Sequence, residues 1–391
     1  MKRLSQSPTD PVFVQDPYPF YAKARSAGDL VYWDAYDMPV ATTHQAVSAL
    51  LKDRRFGREP VDPPSAPPHL APFYAVEAHS MLELEPPRHT RLRGLVLRAF
   101  TSRRITGFAA QIEALCDALI DGFPPGPFDL LKAYAEPLPV IVIARLLGVP
   151  ETQAPQLLDW SHAMVKMYQA GRSRADEDAA VAATNAFVSY LRGYVADRRK
   201  SPRDDLISEL IAAEAEGDKL SSDELITTCI LLLNAGHEAT VHTIGNGVKA
   251  LLQAGIGPGV DHARLIEEVL RYDPPLHLFT RTAYEPVACF GHEFKRGDEV
   301  GLLLASAGRD ASVYGRPDQF DPTRNAPAHI AFGAGLHFCV GAPLARLELQ
   351  IAIPRLFARL PNLRLEGPSA YADIYHFHGL ERLNVSAGLP G

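Results

Sequence analysis

A mainly α-helical fold with a small β subdomain is the class that this sequence predicts. Apolar residues recur at three- and four-residue spacing over long segments, the β-like runs are short, and 391 residues can bury a sizeable core. The predicted helical segments are residues 109–120, 138–147, 183–195, 225–252 and 344–360. The predicted β-like runs are residues 30–33, 38–42, 286–290, 299–303 and 382–385.

The prolines and the absence of repeats set the domain organisation. Residues 60–72 and 123–127 are rich in proline, which lacks an amide hydrogen, so loops are expected there. We predict one domain over residues 1–391. Its β-rich part covers about 28–60, 277–305 and 370–388, and the remainder forms the helical body.

Composition excludes several classes of protein. A net charge of −7 argues against a nucleic-acid binder. No apolar run approaches the roughly 18–20 residues that cross a bilayer, so we expect no membrane association and a soluble, cytoplasmic protein. The four cysteines are far apart, which disfavours disulfides and a cysteine-rich zinc site. Cys116, Cys229 and Cys289 are expected to be buried structural thiols.

The longest predicted helix contains an unusual centre. Ser221 and Glu224 form a capping-box pattern, the apolar spacing runs to residue 252, and Gly255 offers a stop. Such a helix would be about 45 Å long. Gly236 and Glu238 lie near its middle, where glycine costs roughly 1 kcal/mol. Either the pair is a chance glycine and a solvated glutamate, or something large approaches the backbone there.

The same segment superficially resembles a zinc-binding helix. That chemistry needs two histidines at i and i+4, on one face. His237 and His242 are at i and i+5, about 140° apart. We therefore do not expect these two histidines to form a zinc pair.

The fourth cysteine lies in a different setting from the others. Cys339 sits in a glycine-rich loop, followed by Pro343 and a helical pattern. Free amides and the helix dipole stabilise a thiolate there. It could be a nucleophile, although adjacent loop residues such as His337 seldom aim at it. A single thiolate is what haem iron can use as a ligand.

Phe332, Gly335, Cys339 and Gly341 together resemble the haem-binding signature of the cytochrome P450 superfamily, bacterial soluble type. The resemblance implies haem b (iron protoporphyrin IX), with Cys339 as the axial ligand to the metal. It also implies that fold, with the haem buried between the long central helix and the helix after the cysteine loop.

Further motifs appear in the order of that family. Glu268 and Arg271 resemble its E-x-x-R pair, and the resemblance implies that Arg324 joins them in a buried charge network. It also implies four partners for the haem propionates, which need charge-assisted hydrogen bonds. They are His89, Arg93, Arg281 and His337.

One departure concerns the central helix. The family usually has threonine directly after the acid, where its hydroxyl orders water and helps deliver protons. This chain has Ala239 there and Thr240 one position later, about 100° around the helix. Glu238 and Thr240 are the candidate catalytic residues, and a substrate hydroxyl or carbonyl is our hypothesis for the missing group.

The substrate pocket is expected to draw on residues 61–82, 160–170, 231–240, 276–279 and 376–380. This set suggests a mostly apolar small organic molecule. Trp160, Met164, Met167 and Tyr168 form a helical stripe, either core or pocket lining. A second departure from the family is the connection between the central helix and the helix that carries Glu268 and Arg271. This connection, residues 253–261, looks short for the family, so we expect a helix to be missing there.

Six arginines and no acidic residue lie between residues 88 and 112; they are Arg88, Arg91, Arg93, Arg98, Arg103 and Arg104. They form either a solvated face or a docking patch for an acidic ferredoxin. Since the chain ends about 50 residues after Cys339, we expect electrons from an external ferredoxin and its reductase.

The resemblance therefore implies a monooxygenase that inserts one oxygen atom from dioxygen into a small organic molecule. Two alternatives remain: a peroxygenase that uses hydrogen peroxide, and a haem or ligand-binding protein without turnover.

Overall fold

The computed structural model describes residues 1–63, 65–169, 171–215, 220–257, 259, 261–325, 327–373, 375 and 377–387. It divides into two compact units. Unit 1 comprises Met1–Asp62, Ala109–Ala135 and Ala239–Gly391, and unit 2 comprises Pro63–Phe108 and Glu136–Glu238. The single domain over residues 1–391 stays a prediction.

Helices make up most of the described chain. They are α1 (Pro11–Gln15), α2 (Tyr18–Ala27), α3 (His44–Lys52), α4 (Ala71–Glu77), α5 (Arg88–Ala99), α6 (Ser102–Gly107), α7 (Ala109–Asp121), α8 (Pro137–Leu147), α9 (Ala154–Val165), α10 (Arg174–Lys200), α11 (Leu206–Ala215), α12 (Ser222–Ala254), α13 (His262–Tyr272), α14 (Leu304–Gly308) and α15 (Ala342–Arg359). No helix among the described residues is both long and apolar enough to cross a membrane.

The strands all belong to unit 1. They are β1 (Lys2–Leu4), β2 (Leu30–Trp33), β3 (Met38–Ala41), β4 (Phe56–Gly57), β5 (Phe128–Asp129), β6 (Leu278–Ala283), β7 (Val287–Cys289), β8 (His292–Phe294), β9 (Glu299–Leu303), β10 (Leu363–Leu365) and β11 (Asn384–Ala387). The six-stranded sheet has the order β1-β2-β3-β9-β6-β4, beside a three-stranded sheet β10-β11-β5 and a hairpin β7-β8. The predicted mainly α fold with small sheets is confirmed.

The six-stranded sheet is buried on both faces because neighbouring residues of its strands enter different cores. On β2 and β9, Leu30 and Leu302 join one apolar cluster, which α3 completes with Leu50. Their neighbours Val31 and Leu303 join the other cluster. Successive strand residues point to opposite faces of the sheet. Because both faces are buried, the strand sequences are continuous apolar runs and do not alternate with polar residues.

Of the two predicted proline-rich loops, one matches the structure and the other is shorter than predicted. Residues 123–127 contain no helix or strand, as predicted. The loop over 60–72 is wrong at its end, because Pro68–Leu70 is a 3-10 turn and α4 begins at Ala71. Pro72 does not break α4, since a proline in the first turn has no amide hydrogen bond to lose.

The central helix α12 has the predicted ends. The Ser221 amide donates to Glu224 at 2.9 Å and the Glu224 amide donates to the Ser221 hydroxyl at 3.1 Å, so the capping box is confirmed. The helix ends at Ala254, and Gly255 follows with a φ of +63°. The next helix starts at His262; residues 258 and 260 of the connection lie outside the described residues.

Candidate functional site

The loop that carries Cys339 is fixed by one close backbone approach. Gly335 has a φ of +71°, and a Cβ there would lie 2.5 Å from the carbonyl oxygen of Leu51. Any other residue would meet both backbone strain and a steric clash. The Cys339 amide donates to the carbonyl of Phe332 at 3.0 Å, which closes the loop.

Cys339 lies just before the start of α15. Gly341 is the N-cap residue, and its carbonyl accepts from the Ala345 amide at 2.9 Å. A Cβ on residue 341 would touch the Cys339 sulfur at 3.9 Å, so glycine leaves space beside the thiol. The start of an 18-residue helix offers a positive dipole end to a thiolate.

The cysteine loop presents a partly exposed apolar surface. None of residues 331–341, all of them described, is buried, although most are apolar. Phe338 is 38% exposed, and Phe332 lies 6.4 Å from it between ring centroids. Such an apolar surface around one thiol suits a large flat apolar group bound through sulfur. The residues present therefore fit a haem.

A buried charge network in unit 1 joins α13 to residues 321–324. Arg271 donates to both carboxylate oxygens of Glu268 at 2.7 Å, and the Arg324 Nε atom lies 3.2 Å from the same carboxylate. The Asp321 amide adds a hydrogen bond of 2.8 Å. The prediction that Arg324 joins Glu268 and Arg271 is confirmed.

Two acids in unit 1 have pKa values shifted in opposite directions. Burial raises the pKa of Glu348, on α15, well above its usual range. Burial also opposes ionisation of Glu267, but hydrogen bonds from Arg346 and His329 outweigh it and lower its pKa to about 2. Neither acid was a candidate from the sequence.

One face of α12 is left uncovered at its centre. Ala235 is exposed and Ala239 is half-buried, whereas Thr240 is buried. A large side chain approaches the backbone at Gly236, because a Cβ there would lie 3.1 Å from Ile143 of α8. The glycine allows this close helix packing, and the small side chains of Ala235 and Ala239 cover little of the helix surface.

The four candidate propionate partners lie on three elements of the fold. On α5 of unit 2, His89 is buried, and Arg93 follows one turn later and is half-buried. In unit 1, Arg281 is buried on β6 and donates to the Thr280 carbonyl at 2.9 Å, and His337 lies in a 3-10 turn of the cysteine loop. Their role stays a prediction.

The arginine-rich segment is partly neutralised within unit 2. Arg91 pairs with Glu224. Arg104 pairs with Asp204 at 2.7 Å and with Glu209 at 2.5 Å. Arg103 is exposed beside it. A docking patch therefore depends on Arg103 more than on Arg104.

The predicted aromatic and methionine stripe mostly belongs to the core. Met164 and Met167 are buried, and Trp160 packs on Phe187 with ring centroids 5.1 Å apart. Tyr168 is exposed. Residues 64, 170 and 376 of the predicted pocket segments lie outside the described residues.

Two of the three cysteines expected to be buried are buried, and the third is not. Cys116 and Cys229 are buried, and burial raises the pKa of each, to about 11 and about 12. Cys289 is only half-buried, because it lies on the edge hairpin β7-β8. No disulfide joins the described cysteines.

Two polar clusters were missed from the sequence. His162, His237 and Glu238 meet in unit 2, and Asp273, His277 and His378 meet in unit 1. His242, by contrast, packs against Gly379.

Comparisons with known proteins agree with this geometry. A model of the family described as cytochrome P450 matches residues 263–365. The chain is similar to cytochrome P450 107B1 of Saccharopolyspora erythraea, 36% identical over 97% of each chain. It is also similar to the cytochrome P450 monooxygenase PikC of Streptomyces venezuelae, 37% identical over 90% of this chain and 86% of that one.

A solved structure agrees as well. P450BioI, determined with an acyl carrier protein that carries hexadec-9Z-enoic acid, is similar with a TM-score of 0.90 and 34% identity, covering 96% of this chain and 100% of that one. The chain belongs to the cytochrome P450 family. It is accordingly a haem-iron monooxygenase, an oxidoreductase that acts on small molecules.

Proposed function

We propose that this enzyme inserts one oxygen atom into an apolar or moderately polar small organic molecule, with haem b held by Cys339. The observation that carries the proposal is the Cys339 thiol in a partly exposed apolar loop at the start of α15. When bound, the haem iron supplies the activation of dioxygen, and a thiolate ligand favours O–O cleavage.

We assign roles to the chain's own residues as follows. Cys339 binds the iron, while Phe332 and Gly341 shape the loop around the sulfur. His89, Arg93, Arg281 and His337 neutralise the propionates. Glu238, which directly precedes half-buried Ala239 on α12, moves protons; Thr240 is a weaker candidate because its side chain is buried. We place the enzyme in the cytoplasm.

The test is spectroscopic and then catalytic. The reduced, carbon-monoxide-bound protein should have the absorption band typical of thiolate-ligated haem. A screen of small organic molecules should find one that changes the iron spin state and is converted to an oxygenated product with a surrogate ferredoxin and its reductase. Product formation driven only by hydrogen peroxide would favour a peroxygenase, and spin change without product would favour a ligand-binding protein.

The electron donor is expected to be an acidic ferredoxin that binds near Arg103. Arg103→Glu should slow reduction of the haem iron about three- to tenfold at low salt, because a rim charge mainly changes the association rate. The difference should vanish at high salt, where exposed charges are screened. Stopped-flow reduction at several salt concentrations measures this effect.

Arg296 offers the matched control, since it is an exposed arginine on the turn after β8. Arg296→Glu makes the same charge change and should reduce like the wild type. Arg104→Glu is a poorer probe because it also breaks the ion pairs with Asp204 and Glu209. Equal reduction rates for the Arg103 and Arg296 variants would refute the docking patch.

Because Ala239 has no hydroxyl to order water, we expect the substrate to supply a hydroxyl or carbonyl oxygen in its place. With the true substrate, Ala239→Thr should change the product formed per reduced nicotinamide by less than about twofold, because a substrate hydroxyl or carbonyl already orders the water. With an analogue that lacks this oxygen, the same variant should increase the ratio. A large increase in product formed per reduced nicotinamide, with the true substrate, would contradict the hypothesis.

A further inference from the structure

Three side chains in unit 2 that can bind metal ions converge where α9 and α12 meet. They are His162 on α9 and His237 with Glu238 on α12. The Glu238 Oε2 atom lies 3.4 Å from His162 Nε2 and 3.2 Å from His237 Nε2. The three ligand atoms all lie within 4.8 Å of one another.

The backbone fixes which nitrogen of His237 is available. Its Nδ1 atom lies 2.7 Å from the carbonyl oxygen of Leu233. A carbonyl oxygen only accepts, so Nδ1 carries the hydrogen and, in the neutral ring, Nε2 has a lone pair. That Nε2 atom is buried and makes no hydrogen bond within the described chain. Protein ligands to metals are usually oriented in this way by a partner on the other nitrogen.

A lone pair on His237 Nε2 thus faces a carboxylate oxygen at 3.2 Å. Two acceptors at this distance repel each other unless a proton or a metal ion lies between them. Zinc binds nitrogen and oxygen at 2.0–2.2 Å in a tetrahedron, whose edge is then about 3.3 Å. Both measured separations, 3.2 and 3.4 Å, are close to that edge.

The other cluster, in unit 1, shows why geometry alone is insufficient. The Asp273 carboxylate already accepts from Tyr18 at 2.6 Å and from Tyr371 at 2.5 Å. Those hydroxyls use the oxygens that a metal would need. This cluster is therefore a hydrogen-bonded part of the core.

We propose that His162, His237 and Glu238 form a binding site for a divalent transition metal ion, with zinc as the best match. Two imidazoles and one carboxylate are a ligand set that zinc accepts, and water completes the tetrahedron. His162 is 43% exposed at its side chain, so the ion can enter from solvent. The site is separate from Cys339 in sequence and in ligand type.

One consequence rests on the proposed function. If Glu238 moves protons during oxygenation, a zinc ion on its carboxylate occupies the group that the reaction needs. Micromolar zinc should then inhibit turnover. Binding itself does not depend on that role, so a failure of inhibition and a failure of binding are distinguishable.

Equilibrium dialysis of the haem-loaded protein against zinc, with zinc and iron counted by mass spectrometry, tests the site. The wild type should bind one zinc ion more than His162→Ala, and the affinity should fall at least about tenfold in that variant and in His237→Gln. Because His162 is half-exposed, its replacement leaves the packing of α9 intact.

His69→Ala is the matched control. His69 Nε2 lies 2.7 Å from Glu177 in the same unit, but Arg172 also pairs with that carboxylate and supplies the cation. This variant should bind zinc like the wild type. Equal zinc content in the wild type, His162→Ala and His237→Gln would overturn the site, as would a zinc X-ray absorption spectrum of the wild type without two nitrogen ligands.

Discussion

Cys339→Ser is expected to remove thiolate ligation of the haem iron and to lower turnover at least about a hundredfold, or about 2.7 kcal/mol of barrier. A serine hydroxyl is a poor replacement because it remains protonated, whereas a thiolate donates electron density that favours O–O cleavage. The absorption of the reduced carbon-monoxide complex and the haem content per chain give readouts independent of activity.

Cys289→Ser is the control for this substitution. Cys289 is also half-buried in unit 1, but burial raises its pKa and no helix starts beside it. Its replacement should leave the spectrum and the turnover unchanged. A thiolate-type spectrum that persists in Cys339→Ser would mean that another residue ligates the iron.

The fold class followed from the sequence because helical periodicity is a property of each segment alone. The pattern from 225 to 252 lies within α12, and β2 and β9 match their predicted runs. Several strands were missed as individual runs, among them the six-residue β6 and the much shorter β1 and β5. β1 and β5 have three and two residues, and they exist only through pairing with β2 and β11, which a local pattern does not reveal.

Site residues could be predicted where the local sequence alone indicates their role. They could not be predicted where the role depends on a contact with a distant part of the chain. Cys339 stood out because its loop glycines are required by backbone geometry, as the clash at Gly335 illustrates. The residue that approaches Gly236 could not be predicted, because it is Ile143 of α8, about ninety positions away in sequence. His162 was missed for the same reason: its partners lie on another helix.

The largest effect on stability should come from breaking the buried charge network. Arg271 is 2% exposed at its side chain and Glu268 is 3% exposed. Arg271→Ala leaves the Glu268 carboxylate with Arg324 as its remaining arginine and removes the donor to the carbonyls of Gly308 and Pro317. We expect a loss of about 3–5 kcal/mol in the free energy of unfolding.

Urea unfolding of Arg271→Ala, Arg271→Lys and Arg174→Ala separates geometry from charge. Lysine restores the charge but not the planar fork that reaches both carboxylate oxygens, so its loss should be intermediate. Arg174 pairs with Asp178 across an exposed helix turn, with side chains 63% and 58% exposed, and its loss should cost less than about 1 kcal/mol. If Arg271→Ala cost no more than Arg174→Ala, the network would not stabilise the fold.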